Sequence, residues 1–167
     1  MRRDDFEVFV ADSADALLQT AYLIVWDLHE AEDLVQDTLL KVARRWSKVR
    51  RMDHPAAYAR RILVNLALDG RPKRSRRRAE LGAGCPADRS APAVVLDTHD
   101  DLLAALVVLP ARQRAVLVLR YFLDLSEAEV ASVLQCSVGT VKSTASRGLA
   151  RLEQRLRSSD EGRSVAS

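Results

Sequence analysis

The stretch of residues 125–143 constrains the fold of this chain more than any other, because it has the layout of two helices joined by a tight turn. Ser126 and, three residues later, Glu129 predict a capping box at the start of the first helix. Residues 135–136 interrupt the helical pattern, and Ser137 is placed to cap a second helix. This segment therefore has the organisation of a helix-turn-helix.

The second helix of this motif has two chemically different faces. The apolar residues that recur at helical spacing on one face are Val138, Val141, Ala145, Leu149, Leu152 and Leu156. The opposite face carries the hydroxyls and cations Thr140, Lys142, Ser143, Ser146 and Arg147. In a DNA major groove, cations contact phosphates or guanine edges and hydroxyls contact bases, so this helix is a candidate DNA reader. A plain αα-hairpin packed in a core has the same periodicity and remains the alternative.

Helical periodicity extends over most of the 167 residues, whereas strand-type alternation is hard to find. We therefore predict an all-α protein of two small helical domains joined by a flexible linker, with the helix-turn-helix in the second domain. The linker is marked by Gly82, Gly84, Pro86 and Pro92. The expected boundaries are 1–79 for the first domain, 80–96 for the linker, 97–158 for the second domain and 159–167 for a disordered tail.

The first domain is expected to contain three or four helices. One spans residues 14–25, a second spans 30–49, and a third opens at Pro55 and runs to about Asp69, since proline is tolerated in a first helical turn. The apolar and aromatic positions expected at helical spacing are Leu17, Leu18, Ala21, Tyr22, Val25, Ala31, Leu34, Val35, Val42, Trp46, Tyr58, Ile62 and Leu66. In the second domain, one helix ends at Pro110 and the next spans 113–121.

Charge is distributed very unevenly along the chain. The segment 44–79 holds 13 basic and 2 acidic residues, a net charge of +11, although the whole chain carries only +3. The remainder, with 13 basic and 21 acidic residues, has a net charge of −8. A strongly basic segment in an otherwise acidic chain favours a polyanionic partner, because like charges repel when nothing neutralises them. A solvated basic face is the alternative.

Several other classes of function find no support in the sequence. Cys85 and Cys136 are far apart and the three histidines are isolated, so neither a disulfide nor a metal site is expected. No catalytic group or phosphate-binding glycine loop can be assembled, which argues against an enzyme and against a cofactor. No apolar run is expected to reach the length of a membrane span, and acids stand where a signal peptide needs apolar residues, so we expect a cytoplasmic protein without membrane insertion.

Two helical faces in the first domain are candidate binding sites. Asp33, Gln36 and Asp37 have the spacing of one exposed face, which suits the cations of a protein partner; a solvated carboxylate face has the same pattern. Asn65 stands in an apolar run beside Arg61 and Tyr58. An amide, a cation and a ring on one basic helix suit unpaired DNA bases, but Asn65 can also cap local backbone and Tyr58 can also be a core residue.

Four segments of the chain resemble the extracytoplasmic-function group of bacterial sigma-70-type RNA polymerase sigma factors. They are Ala31–Thr38, Tyr58–Ala67, Leu109–Arg114 and Ser137–Ser143. Their order, with a linker between the second and third, is specific, and the resemblance extends over about residues 6–157. The chain is most similar to the small two-domain factors of actinobacteria often labelled SigE-family.

This resemblance implies a role for each candidate surface. The Asp33, Gln36 and Asp37 face would bind the β′ clamp helices of core RNA polymerase, and a contact with the β flap is expected too. The −10 promoter element would be read by Tyr58, Arg60, Arg61, Asn65, Arg71, Lys73 and Arg74. The −35 element would be read by Thr140, Lys142, Ser143, Ser146 and Arg147. Anti-sigma partners are frequent in the family. Thr144 departs from the family, which often has arginine there, and this bears on base preference at −35.

Three functional hypotheses therefore compete. In the first, the chain is an alternative sigma factor that binds core polymerase and helps to open promoters. In the second, it is a helix-turn-helix regulator that binds duplex DNA without polymerase, although no dimerisation or ligand-sensing module is evident. In the third, its helical modules bind only proteins, which leaves the basic segment without a purpose.

Overall fold

The computed structural model describes residues 3–70 and 100–165, with side chains described for 5–70 and 102–158. Within these ranges the secondary structure is helical and contains no strand, which confirms the all-α prediction. The chain divides into two units, Met1–Ala93 and Val94–Ser167. The expected linker at 80–96 lies outside the described residues, as do Cys85, Arg71, Lys73 and Arg74.

Over its described residues, 3–70, the first unit contains four helices, the upper number expected. They are α1 (Arg3–Val25), α2 (Leu28–Ala43), the single turn α3 (Trp46–Val49) and α4 (Pro55–Asp69). Helices α1, α2 and α4 each pack against the other two. The core they enclose includes Leu17, Ala21, Ile24, Leu34, Val42, Leu63 and Val64. Burying one such leucine stabilises the fold by about 1.5–3 kcal/mol.

Helix α1 starts eleven residues earlier than its apolar pattern predicts, because an aromatic cluster secures its first turns. The rings of Phe6 and Phe9 lie 5.2 Å and 5.1 Å from the ring of Trp46, centroid to centroid. Asp5 adds an ion pair of 3.7 Å with Arg50. These contacts join residues that are far apart in the sequence, so a helical periodicity that begins only at residue 14 does not reveal them.

Helix α2 is capped at its start and broken before its predicted end. The carboxylate of Asp27 accepts a 2.7 Å hydrogen bond from the backbone N–H of Glu30, and the preceding Trp26 has a left-handed φ of 58°. The chain turns at residues 44–45 before α3, so the helix predicted over 30–49 is two helices. Trp46 is still buried, as its spacing predicted.

Helix α4 has the predicted bounds but buries a different face. Its buried residues are Ala59, Leu63, Val64 and Ala67. Tyr58, Ile62 and Leu66, the positions chosen from the sequence, are only partly covered. The run 62–68 is apolar except for Asn65, so it fits two neighbouring helical faces about equally well. Packing against α1 and α2 decides between them.

In the part of the second unit that the structure describes, residues 100–165, there are four helices and one π-helical turn. They are α5 (Asp100–Val107), α6 (Ala111–Leu117), the π-helical turn Val118–Phe122, α7 (Glu127–Leu134) and α8 (Val138–Val165). The fully buried residues include Ala115, Val116, Val118, Leu119, Val130 and Val141. Arg114 is 1% exposed, and its Nη1 donates to the carbonyl of Val107 at 2.8 Å. This bond ties α6 to the last residue of α5 and offsets part of the cost of burying a cation.

Helix α8 extends through most of the segment expected to be a disordered tail. It continues to Val165, whereas the sequence placed the end of order at residue 158. Two local contacts stabilise the turns just before the extension: Arg157 pairs with Glu153 one turn earlier, and the Ser158 hydroxyl donates to the carbonyl of Gln154 at 3.0 Å. Such i, i+4 pairs stabilise a solvated helix without a core.

Residues Asp5–Val25 of α1 are long and apolar enough, by length and composition, to cross a membrane. The sequence expectation that no run approaches this length therefore needs correction. Helix α1 packs against both α2 and α4, and its residues Leu17, Ala21, Leu23 and Ile24 are buried. In this fold α1 serves as a core helix.

Candidate nucleic-acid and protein interfaces

The exposed face of α2 carries the three side chains predicted to bind a protein. Asp33, Gln36 and Asp37 are all exposed, whereas Leu34 and Val35 between them are buried. A helix advances about 100° per residue, so the three polar side chains cover one side of α2 while the two apolar ones point into the core. The structure thus brings the predicted carboxylate face together.

Leu40 also lies on this face, and the sequence analysis missed it. Its side chain is 52% exposed, and it follows Asp33 by seven residues, which places it on the same side of the helix. An exposed leucine about one turn beyond Asp37 gives the face an apolar contact point. The signal was present as the i, i+7 spacing, but Leu40 was hidden in the general apolar pattern of α2.

Tyr58, Arg61 and Asn65 lie together on the side of α4 opposite its buried residues. Each is partly exposed, and at 100° per residue they fall within about 60° of one another. The Asn65 Nδ2 donates to the carbonyl of Arg61 at 2.8 Å. The amide therefore does bond local backbone, one of the two alternatives left open by the sequence. This bond orients the amide group on the exposed side of α4.

Arg60 does not share this face. Helical geometry places it beside Leu63, Val64 and Ala67, about 100° or more around the helix from Arg61. Its side chain is partly covered. The described part of α4 therefore offers one cation, Arg61, next to Tyr58 and Asn65. Arg71, Lys73 and Arg74 follow α4 outside the described residues.

The helix-turn-helix has the local structure predicted for it. The Glu129 N–H donates to the Ser126 hydroxyl at 3.2 Å, and the Ser126 N–H donates to the Glu129 carboxylate at 2.7 Å. Gln135 closes α7 in a left-handed conformation, with φ 51° and ψ 48°. The next N–H, that of Cys136, bonds back to the Ala131 carbonyl at 3.1 Å. This six-to-one bond is typical of a Schellman turn.

The outer face of α8 presents its polar groups in a connected ladder. The Ser137 hydroxyl accepts from the Thr140 N–H at 3.1 Å and lies 2.8 Å from the Thr140 hydroxyl. Ser143 donates to the Thr140 carbonyl at 3.1 Å, and Arg147 Nε donates to the Ser143 carbonyl at 3.2 Å. Ser146 is exposed beside them. The predicted −35 residues therefore do share the exposed side of one helix.

Lys142 lies at the edge of this face, in an ion pair with the other helix of the motif. Its Nζ is 3.6 Å from Oε2 of Glu127, and the two side chains are 64% and 37% exposed. Glu127 is the first residue of α7. The sequence analysis considered only the capping partner Glu129 and missed Glu127, because contacts between two helices leave no signal in spacing along either one.

The inner face of α8 differs from the predicted one. Thr144 is 6% exposed and faces the core with Val141, whereas Val138 and Leu149 are 39% and 41% exposed. Gly148 belongs to this inner face, and a Cβ added there would come within 3.2 Å of the Leu117 side chain. The core face is thus shifted toward small residues that let α8 approach α6. Thr144 itself points inward, away from the exposed side of α8.

The two halves of the chain match two family models. Residues 9–77 match sigma-70 region 2, and residues 99–152 match sigma-70 region 4. The chain belongs to the sigma-70 family of RNA polymerase sigma factors. It is an alternative sigma factor: a subunit without enzymatic activity that binds core RNA polymerase and directs it to promoter DNA in transcription initiation.

Curated relatives and a solved structure agree with this family. The chain is 37% identical to the RNA polymerase sigma-E factor of Streptomyces avermitilis over 93% of its own length and 87% of that protein. It is 35% identical to the sigma-E factor of Streptomyces coelicolor, over 91% and 86% of the two chains. The sigma factor RpoE of Bartonella quintana, solved in complex with the anti-sigma factor NepR, has a TM-score of 0.74 at 29% identity, with 92% and 97% coverage.

Proposed function

We propose that this sigma factor divides its contacts among three helical faces. The Asp33, Gln36 and Asp37 face of α2, with Leu40, binds the β′ clamp helices of core polymerase. The Tyr58, Arg61 and Asn65 face of α4 holds bases of the −10 element as it melts. The outer face of α8 binds the −35 element as duplex. One observation carries the proposal: each helix presents these side chains on the side opposite its buried core.

The chemistry of each face suits its proposed partner. Carboxylates on α2 form charge-assisted hydrogen bonds with arginines and lysines of a protein. A ring, an amide and a guanidinium on α4 suit splayed bases, which stack on rings and expose hydrogen-bonding edges. Hydroxyls and cations on α8 suit base edges and phosphates in a major groove. Arg71, Lys73 and Arg74 are proposed to contact the DNA backbone beyond α4, and Arg60 is assigned to backbone contacts at most.

Two further partners belong to the proposal. A contact between the second unit and the β flap of polymerase is supported by exposed apolar side chains, among them Tyr121 at 57% and Val108 at 52% exposure. An anti-sigma factor is supported by the relative from Bartonella quintana, which was solved with one.

Since the sigma family acts on RNA polymerase, the protein is proposed to work in the cytoplasm.

Size-exclusion chromatography with core polymerase separates this proposal from its main alternative. We expect the chain to co-elute with core enzyme in the absence of DNA, because the α2 face needs no promoter. A helix-turn-helix regulator that binds duplex DNA on its own would elute separately from core enzyme and shift a duplex without it. That second result would overturn the assignment of the α2 face.

A further inference from the structure

The ion pair between Glu127 and Lys142 connects the two helices of the DNA-binding motif at the edge of its exposed face. Among the described cations in the first half of α8, Lys142 is held by a carboxylate, whereas Arg147 is held through Nε by its own backbone. Both partners of the pair are accessible to solvent and to DNA. The same carboxylate that holds Lys142 therefore competes with any phosphate that approaches it.

We propose that Glu127 is a positioning residue that restrains Lys142 and lowers its affinity for phosphate. In the free protein the pair presents no net charge to DNA, so a random duplex gains little from Lys142. At a promoter, base contacts elsewhere on α8 fix the helix close enough for phosphate to displace the carboxylate. Glu127 thus lowers the affinity of α8 for random duplex and increases its discrimination between promoter and random duplex. This inference rests on the proposed role of the outer face of α8.

The local structure keeps Glu127 in place for this role. It occupies the first turn of α7, which is fixed by the reciprocal Ser126 and Glu129 capping bonds. A negative side chain is favourable there, because the N-terminus of a helix carries a partial positive charge. Lys142 comes from α8, which packs against α7. The pair therefore depends on the packing of the motif and exists only in its folded form.

The magnitude follows from the exposure of the pair. An exposed ion pair contributes up to about 1 kcal/mol, so its removal is expected to change affinity by up to about fivefold. When Glu127 no longer restrains it, Lys142 neutralises up to one additional phosphate, which increases the salt dependence of binding. The slope of log K against log salt then becomes steeper by up to about 0.9.

The test measures binding of the full-length chain to a fluorescent duplex of random sequence by anisotropy over a series of salt concentrations. Glu127→Gln is expected to raise affinity by up to about fivefold, with a steeper salt slope. In a Lys142→Gln background the same substitution is expected to change neither. Asp124→Asn is the charge-matched control, since Asp124 is exposed in the preceding loop and asparagine tolerates its φ of 51°. The control is expected to retain wild-type binding.

Three other outcomes are distinguishable. If Lys142→Gln weakens binding and flattens the salt slope but Glu127→Gln has no effect, the inference about Glu127 is overturned while the DNA face stands. An equal effect of Glu127→Gln in both backgrounds also overturns it, because general repulsion then explains the gain. If neither Lys142→Gln nor Glu127→Gln changes binding, Lys142 makes no phosphate contact in either state and the inference is overturned, while the proposed DNA face of α8 keeps Arg147.

Discussion

Asn65 lies on the side of α4 opposite the buried residues, with its amide bonded to the carbonyl of Arg61. The sequence identified this residue from its isolation in an apolar run, but it offered two roles and no means to choose. The structure places Tyr58 and Arg61, the neighbours expected from the sequence, on the same side of α4. Local backbone bonding is observed, and base contact is the proposed second role.

Replacing Asn65 by alanine separates the two roles. We expect Asn65→Ala to reduce transcription from a duplex promoter about tenfold, because base contacts of this kind are worth about 1–3 kcal/mol. A promoter already melted at −10 is expected to lose less. The fold should remain within about 1 kcal/mol of wild type, since alanine is the better helix former. Equal losses on both templates would instead identify Asn65 as a structural residue.

Gln135 gives a prediction about stability alone. Its φ of 51° lies in the left-handed region, which costs a residue with a side chain about 1–2 kcal/mol. Glycine avoids this cost but loses more entropy on folding. We expect Gln135→Gly to stabilise the second unit by about 0.5–1 kcal/mol in thermal unfolding, and Gln135→Ala to bring no gain. If the glycine variant is instead less stable, the Gln135 side chain contributes more to folding free energy than its left-handed backbone conformation costs.

At the scale of the element, the helix-capping residues could be predicted from the sequence, whereas the buried faces of the helices were harder to predict. The capping box of α7 and the Ser137 cap of α8 depend on residues three apart, and both are observed. The buried faces of α4 and α8 depend on the helices that pack against them. In α4 the largely apolar run 62–68 fits two neighbouring helical faces, and either of them could be the buried one. The buried face of α8 includes Gly148 and Thr144, two small residues that a pattern of large apolar side chains does not reveal.

Helix α2 is the element whose exposed face was predicted most fully, and it carries the prediction about core polymerase. We expect Asp33→Arg with Asp37→Arg to abolish co-elution with core enzyme, because the same face would then repel the cations it is proposed to bind. Circular dichroism should be unchanged, since both side chains are exposed. Asp12→Arg with Asp15→Arg, two exposed positions on α1, is the charge-matched control and should still co-elute. Undiminished association of the α2 variant would remove core binding from this face.

At the scale of the whole molecule, the order of motifs along the chain was more informative than any single one. Each short motif has a common structural alternative, but a carboxylate helix, a basic helix and a helix-turn-helix in this order are typical of sigma factors. Matches to sigma-70 regions 2 and 4 confirm that order. The uneven charge also becomes interpretable, since the net charge of +11 falls on residues 44–79, which include the proposed −10 helix.

Run-off transcription with purified core RNA polymerase and a library of genomic promoter fragments tests the central claim most directly. If α2 binds the enzyme while α4 and α8 bind the promoter, addition of the chain should produce discrete transcripts that core enzyme alone does not make. The Asp33→Arg, Asp37→Arg variant should produce none of them. Failure of the wild-type chain to start RNA synthesis from any fragment, with core enzyme shown to be active with another sigma factor, would contradict the account.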